Sequence, residues 1–129
     1  MAVKFQSDEY FAAANEALQR DEAVAKAAKG HTVALQVTTT DFPGVGDKKS
    51  YVRIEKGVIN VGPGEVEDPD VNITQNYDVA VLLDKGELNP QVAFMEGKIK
   101  LKGNLMKAMS LQKLLSAIGP ATSHIEREY

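Results

Sequence analysis

The hydrophobic period of the sequence changes at Gly30, from the spacing of a helix to the alternation of a strand. Residues 7–29 repeat apolar side chains at helical spacing and begin with Ser7, a residue type that caps helix N-termini. The apolar stripe fades near residues 20–21, which predicts a break there. Residues 31–40 alternate apolar and polar side chains instead. The sequence therefore predicts a helix with one break, followed by a strand with one buried face.

The rest of the sequence continues as a run of strands and then a run that is mostly helical. The predicted strands span residues 50–55, 58–61, 71–74 and 98–102, and the predicted helices span residues 76–86, 89–97 and about 105–118. The strands at 31–40, 50–55 and 58–61 have short links, which favours an antiparallel meander. Gly119 and Pro120 predict the end of the last helix, with a tail after it. This segregation of strands and helices favours an α+β fold with the helices covering one face of a sheet.

The composition is that of a globular protein, and it excludes several classes of function. The 129 residues are expected to form a single domain, 1–129. The net charge of −3 excludes a protein held to nucleic acid by overall positive charge, and the absence of cysteine excludes disulfides, thiolate metal sites and thiol nucleophiles. Because there is neither a signal peptide nor an apolar run long enough to span a bilayer, the sequence predicts a cytoplasmic protein.

No arrangement of side chains predicts a catalytic centre, a metal site or a cofactor. His31 and His124 have no neighbours at metal or triad spacing. The loop at 44–50 lacks the glycine and lysine spacing of a phosphate-binding loop. The segment that starts at Asp68 lacks the glycine and the bidentate glutamate of a calcium loop, so the acidic loop 65–70 is predicted to be solvated. A small hydrolase that uses a pair of carboxylates is kept as a weaker alternative.

A basic strip stands out in this acidic sequence. It consists of Lys98, Lys100, Lys102, Lys107 and Lys113. One interpretation is a solvated strand face and helix surface. The other is a transient dock for the headgroups of an anionic membrane, which attract lysine side chains. Nucleic acid is disfavoured as a partner because no aromatic residues interleave with these lysines.

The last predicted helix carries two apolar stripes where one would suffice to cover a sheet. The first stripe consists of Ala108, Leu111, Leu115 and Ile118, and the second of Leu105, Met106 and Met109. The second stripe needs a partner of its own, which is a neighbouring helix, another subunit or an apolar ligand. Methionine adapts to irregular shapes, which suits a cavity for varied ligands. The residues alone leave these alternatives open.

The segment 88–109 closely resembles the sterol carrier protein family, second type. The matching motif elements, in order and spacing, are Asn89-Pro90-Gln91, Ala93-Phe94, Gly97-Lys98-Ile99-Lys100, Gly103-Asn104 and Ala108-Met109. The layout of strands and turns upstream agrees as well, so the resemblance covers about residues 30–115. Two positions depart from the family's usual pattern: Asp84 stands where an apolar or small residue is common, and Ala80 replaces a bulky aromatic. The chain also lacks the peroxisomal C-terminal tripeptide of eukaryotic members, so we expect a free-standing, prokaryotic-like member.

The resemblance implies a five-stranded, mainly antiparallel sheet whose helices enclose an apolar tunnel. It also implies non-enzymatic binding or transfer of a lipid or acyl ligand, whether sterol, fatty acid, acyl-CoA or phospholipid. The alternative is a dimerisation or accessory module of the same fold with a filled interior, and the sequence is compatible with a monomer or a dimer. Combining the family layout with the apolar faces, the predicted lipid-binding residues are Phe11, Leu82, Leu83, Phe94, Ile99, Leu101, Leu105, Met106, Met109 and Leu115.

Overall fold

The computed structural model describes residues 2–129, and this range contains six helices and seven strands. The helices are α1 (Asp8–Arg20), α2 (Glu22–Ala28), α3 (Tyr77–Asp84), α4 (Pro90–Met95), α5 (Leu105–Ser110) and α6 (Gln112–Thr122). The strands are β1 (Val3–Lys4), β2 (Val33–Phe42), β3 (Gly46–Glu55), β4 (Val58–Pro63), β5 (Val71–Asn76), β6 (Ile99–Gly103) and β7 (Arg127–Glu128). The order of the elements confirms the predicted α+β class.

The N-terminal helical segment has the predicted cap and the predicted break. The Ser7 hydroxyl accepts a hydrogen bond from the backbone N–H of Tyr10 at 3.2 Å, which caps α1. Asp21 has extended backbone angles and therefore ends α1. Its carboxylate then accepts from the backbone N–H of Val24 at 3.0 Å and caps α2. One residue thus ends the first helix and begins the second.

Five strands form one mixed sheet in the order β4-β3-β2-β5-β6. Three of the four strand pairs are antiparallel, and the pair β2–β5 is parallel. The meander β2-β3-β4 forms one side of the sheet, as predicted. The chain then crosses over to place β5 on the other side of β2. The prediction of a mainly antiparallel, five-stranded sheet is therefore confirmed.

The helices cover one face of this sheet, and the main core lies between them. The largest fully buried side chains there include Leu18 of α1, Leu35 of β2 and Ile54 of β3. Asn15 of α1 holds the edge strand β4 directly. Its side-chain amide donates to the carbonyl oxygen of Val61 at 2.6 Å and its oxygen accepts from the N–H of Val61 at 2.7 Å. One helical residue thus satisfies a backbone position that the sheet leaves unpaired.

The predicted last helix is two helices, and its predicted end is wrong. α5 ends at Ser110, and Leu111 forms a turn before α6 begins. The break leaves Leu111 and Leu114 each only 1% exposed, so both reach the core. α6 also continues through Pro120 to Thr122. The Thr122 hydroxyl donates to the carbonyl oxygens of Ile118 and Gly119 at 2.9 and 3.3 Å, which satisfies acceptors in the last turn.

The predicted C-terminal tail is also wrong, because β7 pairs in parallel with β1 to form a separate two-stranded sheet. The N–H of Val3 donates to the carbonyl oxygen of Glu126 at 3.0 Å, and the N–H of Phe5 donates to that of Glu128 at 2.8 Å. The side chain of Arg127 is inserted into the protein, which fixes the strand. Pairing between two short strands at opposite ends of the sequence leaves no local pattern, so the sequence did not predict β7.

Candidate functional site

A cavity of about 420 Å³ lies between one end of the sheet and the three helices α4, α5 and α6. Its floor is formed by the face of the sheet that the helices cover. Leu35 of β2, Ile73 of β5 and Leu101 of β6 share that face, since Ile73 lies directly opposite Leu101 in the strand register. Ile99 extends the same row at the sheet edge. The alternation of each strand therefore supplies a continuous apolar floor.

The helices α4, α5 and α6 form the roof of the cavity, and the first two begin at asparagine caps. The Asn89 side chain accepts from the backbone N–H of Gln91 at 2.8 Å and starts α4, and Asn104 accepts from the N–H of Lys107 at 3.1 Å and starts α5. These helices place apolar side chains over the floor. The roof residues are Phe94, Leu105, Ala108, Met109, Leu111 and Leu115. Several of them remain partly exposed, so the cavity opens to solvent between α4 and α5.

The polar side chains of the cavity lie at its opening and offer no acid–base pair. They are Asn89, Gln91, Gln112, Lys113 and Ser116. Lys113 is the single charged residue among the residues that line the cavity. Among residues 2–129, no group of three or more His, Asp or Glu side chains is arranged to hold a metal ion. An apolar interior with a few polar groups at the rim is suited to holding an apolar or amphipathic molecule.

The structure brings six of the ten predicted lipid-binding residues together at this cavity. They are Phe94, Ile99, Leu101, Leu105, Met109 and Leu115. The other four lie elsewhere. Phe11 is buried in the main core with its ring against Tyr10, Leu83 packs beside the cluster around Val79, and Leu82 and Met106 are exposed. A ligand-binding role for any of the ten residues stays a prediction.

Several lining residues were not predicted from the sequence, although a signal existed for one of them. Leu35 belongs to an alternating strand whose apolar face was predicted to be buried. Ile73 belongs to another predicted strand, but its position over the cavity depends on the parallel pairing of β2 and β5. Leu111 and Ala108 were assigned to a stripe facing the sheet. Both line the cavity, because the face of the sheet forms the cavity floor.

Asp70 was predicted to be solvated, and the structure corrects this. Its carboxylate accepts from the backbone N–H of Ala34 at 2.8 Å and from the ammonium group of Lys107 at 3.0 Å. The hydrogen bond from Ala34, and then the one from Lys107, hold the pKa of Asp70 below its ordinary value. Asp70 therefore fixes the start of β5 to both β2 and α5, and it helps to position the roof of the cavity.

A second polar cluster, which we call the C-terminal cluster, consists of Tyr10, Asp84, Arg127 and Tyr129. The Arg127 guanidinium donates to both oxygens of the Asp84 carboxylate at 2.9 and 3.1 Å, and both side chains are largely buried. The hydroxyl groups of Tyr10 and Tyr129 donate to the same carboxylate. Burial, together with Asp84, raises the pKa of both tyrosines. Asp84 thus anchors β7 through Arg127.

The basic strip is divided by the structure. Lys107 pairs with Asp70, and Lys98 lies 3.2 Å from the carboxylate of Glu96. Lys100 and Lys102 are exposed on the side of β6 that faces away from the cavity, and Lys113 is exposed at the cavity opening. Within the part of the chain that the structure describes, no helix has both the length and the apolarity needed to cross a bilayer.

The family assignment follows from comparison with known proteins. A family model described as the SCP-2 sterol transfer family matches residues 14–116. This chain belongs to that family. This chain superposes on a crystal structure of sterol carrier protein 2 with a TM-score of 0.79 and 19% sequence identity, covering 95% of this chain and 99% of the other. This agreement confirms the fold.

The similar sequences are parts of much longer proteins. Hydroxysteroid dehydrogenase-like protein 2 of Homo sapiens is 45% identical over 58 residues, which cover 44% of this chain and 14% of that protein. Sterol carrier protein 2 of Bos taurus is 36% identical over 81 residues, which cover 63% of this chain and 15% of that protein. The chain thus spans about a seventh of the length of these curated relatives.

Proposed function

We propose that residues 1–129 form one lipid-binding domain, which holds a lipid or acyl molecule in the cavity under α4, α5 and α6 and carries it without chemical change. The observation that carries this proposal is the cavity itself, whose floor and roof are apolar and whose few polar groups lie at the opening. Membership of a sterol transfer family supports it, as does the presence of sterol carrier protein 2 among the similar sequences.

The energetics of such a site fit a carrier that must also release its ligand. An acyl chain of about fifteen carbons gains roughly 12 kcal/mol when it leaves water, at about 0.8 kcal/mol per methylene. Loss of free motion on association offsets at least about 4 kcal/mol of this gain. A net value near −8 kcal/mol corresponds to a Kd of about 1 μM. The cavity volume of about 420 Å³ lies within the usual size range of small-molecule sites.

The test is titration of the protein with a fluorescent fatty acid in solution, comparing the variants Met109→Asp and Val58→Asp. Both residues are exposed large hydrophobics, so neither variant should disturb folding. Met109 lines the cavity, whereas Val58 begins β4 outside it. We expect Met109→Asp to weaken binding at least about tenfold, because a carboxylate in contact with the ligand must lose hydration.

The control variant Val58→Asp should bind like the original chain. If both variants bind equally well, the ligand is held somewhere other than this cavity. If the original chain takes up no ligand, the carrier proposal is rejected in favour of the dimerisation or accessory module. That alternative requires a filled interior, so the cavity favours the carrier.

The location and the partners of the domain complete the proposal. We expect it to act in the cytoplasm and to meet anionic membranes through its lysines, with Lys100, Lys102 and Lys113 contributing most because Lys98 and Lys107 already have carboxylate partners. Each lysine near an anionic surface contributes up to about 1 kcal/mol, and salt screens this attraction.

A further inference from the structure

The two short helices that roof the cavity expose an unusual amount of apolar side chain. Ten large hydrophobic residues are exposed among residues 2–129, and six of them belong to α4 and α5. We call these six residues the α4–α5 apolar face: Val92, Phe94, Met95, Leu105, Met106 and Met109. Single exposed apolar residues are common on proteins, but a cluster of this size marks a binding surface.

Methionine gives this face a particular character. The chain contains four methionines, and the three that follow Met1 all lie here. Met95 is 84% exposed, Met106 is 82% exposed and Met109 is 69% exposed. Flexible, unbranched side chains of this kind adapt to surfaces without a fixed shape. A fluid lipid surface is such a partner.

The face borders the opening of the cavity. Phe94, Leu105 and Met109 belong both to the exposed face and to the cavity lining. These three side chains therefore belong both to the cavity lining and to the outer surface of α4 and α5. A partner seated on this face would close the opening, and a ligand leaving the cavity would enter that partner directly.

The charge of the surrounding segment favours an anionic partner. Between residues 92 and 113 there are five lysines and one acidic residue, Glu96, whereas the whole chain has a net charge of −3. Lys113 stands at the cavity opening beside this face, whereas Lys100 and Lys102 are exposed on the side of the edge strand β6 that faces away from the cavity. A second copy of this chain would bring two such lysine-rich segments together, which like-charge repulsion disfavours.

We propose that the α4–α5 apolar face docks on an anionic lipid bilayer, with Met95 and Met106 inserted among the headgroups and the cavity opening held against the membrane. The biological meaning of this docking rests on the proposed lipid-carrier function, since docking gives a ligand a path that does not cross water. Docking through this face adds to the contact made by the lysines, because apolar insertion supplies attraction that salt does not screen.

The test is co-sedimentation with vesicles of phosphatidylcholine, with or without phosphatidylglycerol. The double variant Met95→Ser/Met106→Ser is compared with the control Val45→Ser/Val58→Ser, which also removes two exposed hydrophobic side chains, one from the β2–β3 turn and one from the start of β4. Circular dichroism checks that both are folded. We expect the original chain and the valine variant to sediment more strongly with phosphatidylglycerol present, and the methionine variant to partition at least about tenfold more weakly.

Three results would overturn the proposal. The first is equal sedimentation of the methionine and valine variants. The second is equal partition of the original chain with and without phosphatidylglycerol. The third is that the original chain is a dimer that does not bind vesicles, and that the methionine substitutions convert it to a monomer. The α4–α5 apolar face would then be a contact between two copies of the chain.

Failure of the carrier function gives a different result. Uptake of a fluorescent fatty acid in the absence of vesicles tests the cavity without the membrane. A chain that binds vesicles but takes up no fatty acid keeps the docking surface and loses the carrier function. If the original chain takes up fatty acid but the two double variants bind vesicles equally well, the carrier function is retained and the docking surface is rejected.

Discussion

At the scale of single residues, the motif that carries the family resemblance mainly builds the cavity. Asn89 and Asn104 are helix caps, and Gly103 permits a close contact between strands. A Cβ atom on Gly103 would lie 2.4 Å from the backbone oxygen of Asp70, and its φ of +118° disfavours any other residue. Such residues fix where α4 and α5 begin, whereas apolar side chains form the cavity lining.

Asp70 makes a pH-dependent contribution to stability that the variant Asp70→Asn should remove. Because hydrogen bonds hold its folded pKa below the value of 3.8 expected without them, the charged form favours folding. At neutral pH the variant should lose about 1 kcal/mol of unfolding free energy, mostly from the charge-assisted contacts. Urea denaturation measures this difference.

The difference between the two chains should shrink as the pH falls below about 4, since Asp70 is then protonated in the unfolded chain and increasingly so in the folded one. The control is Asp68→Asn, an aspartate in the same loop. All measurements are made at the same salt concentration. A loss of unfolding free energy in Asp70→Asn that is as large at pH 3 as at pH 7 would contradict the role assigned to the Asp70 carboxylate.

At the scale of elements, the sequence predicted what short-range patterns encode. The Ser7 cap, the break before Glu22 and the alternation of the strands follow from local rules, and the structure has all three. The division of the last helix at Leu111 depends on what packs beneath it. Strand β7 depends on a partner more than a hundred residues away and on the buried Asp84, so no local signal marked it as a strand.

The anchoring of β7 should depend strongly on Arg127. In the variant Arg127→Met the Asp84 carboxylate stays buried without its cation, and we expect a loss of about 3 kcal/mol in unfolding free energy. The double variant Asp84→Asn/Arg127→Met should be less destabilised than the sum of the two single variants, because no charge is then left unpaired. Additive losses, measured by urea denaturation, would show that the two side chains are not coupled.

At the scale of the whole molecule, the sequence and its resemblance predicted the fold class more completely than the site. Six predicted residues meet at the cavity because the strands and the motif helices were correctly placed. Phe11, Leu82, Leu83 and Met106 do not line it, since an apolar position on a helix does not reveal which side the helix turns to the sheet. Volume between elements is a property of packing, and no residue pattern encodes it directly.

Ligand binding should stabilise the whole molecule. With a soluble fatty acid at about one hundred times its Kd, the free energy of unfolding should rise by about 2.7 kcal/mol. Denaturation with and without ligand measures the change, and the variant Met109→Asp should show a much smaller rise at the same ligand concentration. An equal rise in the variant would indicate that stabilisation comes from another site.

The parallel pairing of β1 with β7 brings residues 3–4 and 127–128 side by side. Val3 lies beside Arg127, so a short flexible linker running back along β7 would join the two ends without disturbing either sheet. New ends opened between Gly44 and Val45, at an exposed turn, would leave every strand intact. The same architecture is therefore open to circular permutation, and new ends at that turn would move the attachment point of any fused partner away from β1 and β7.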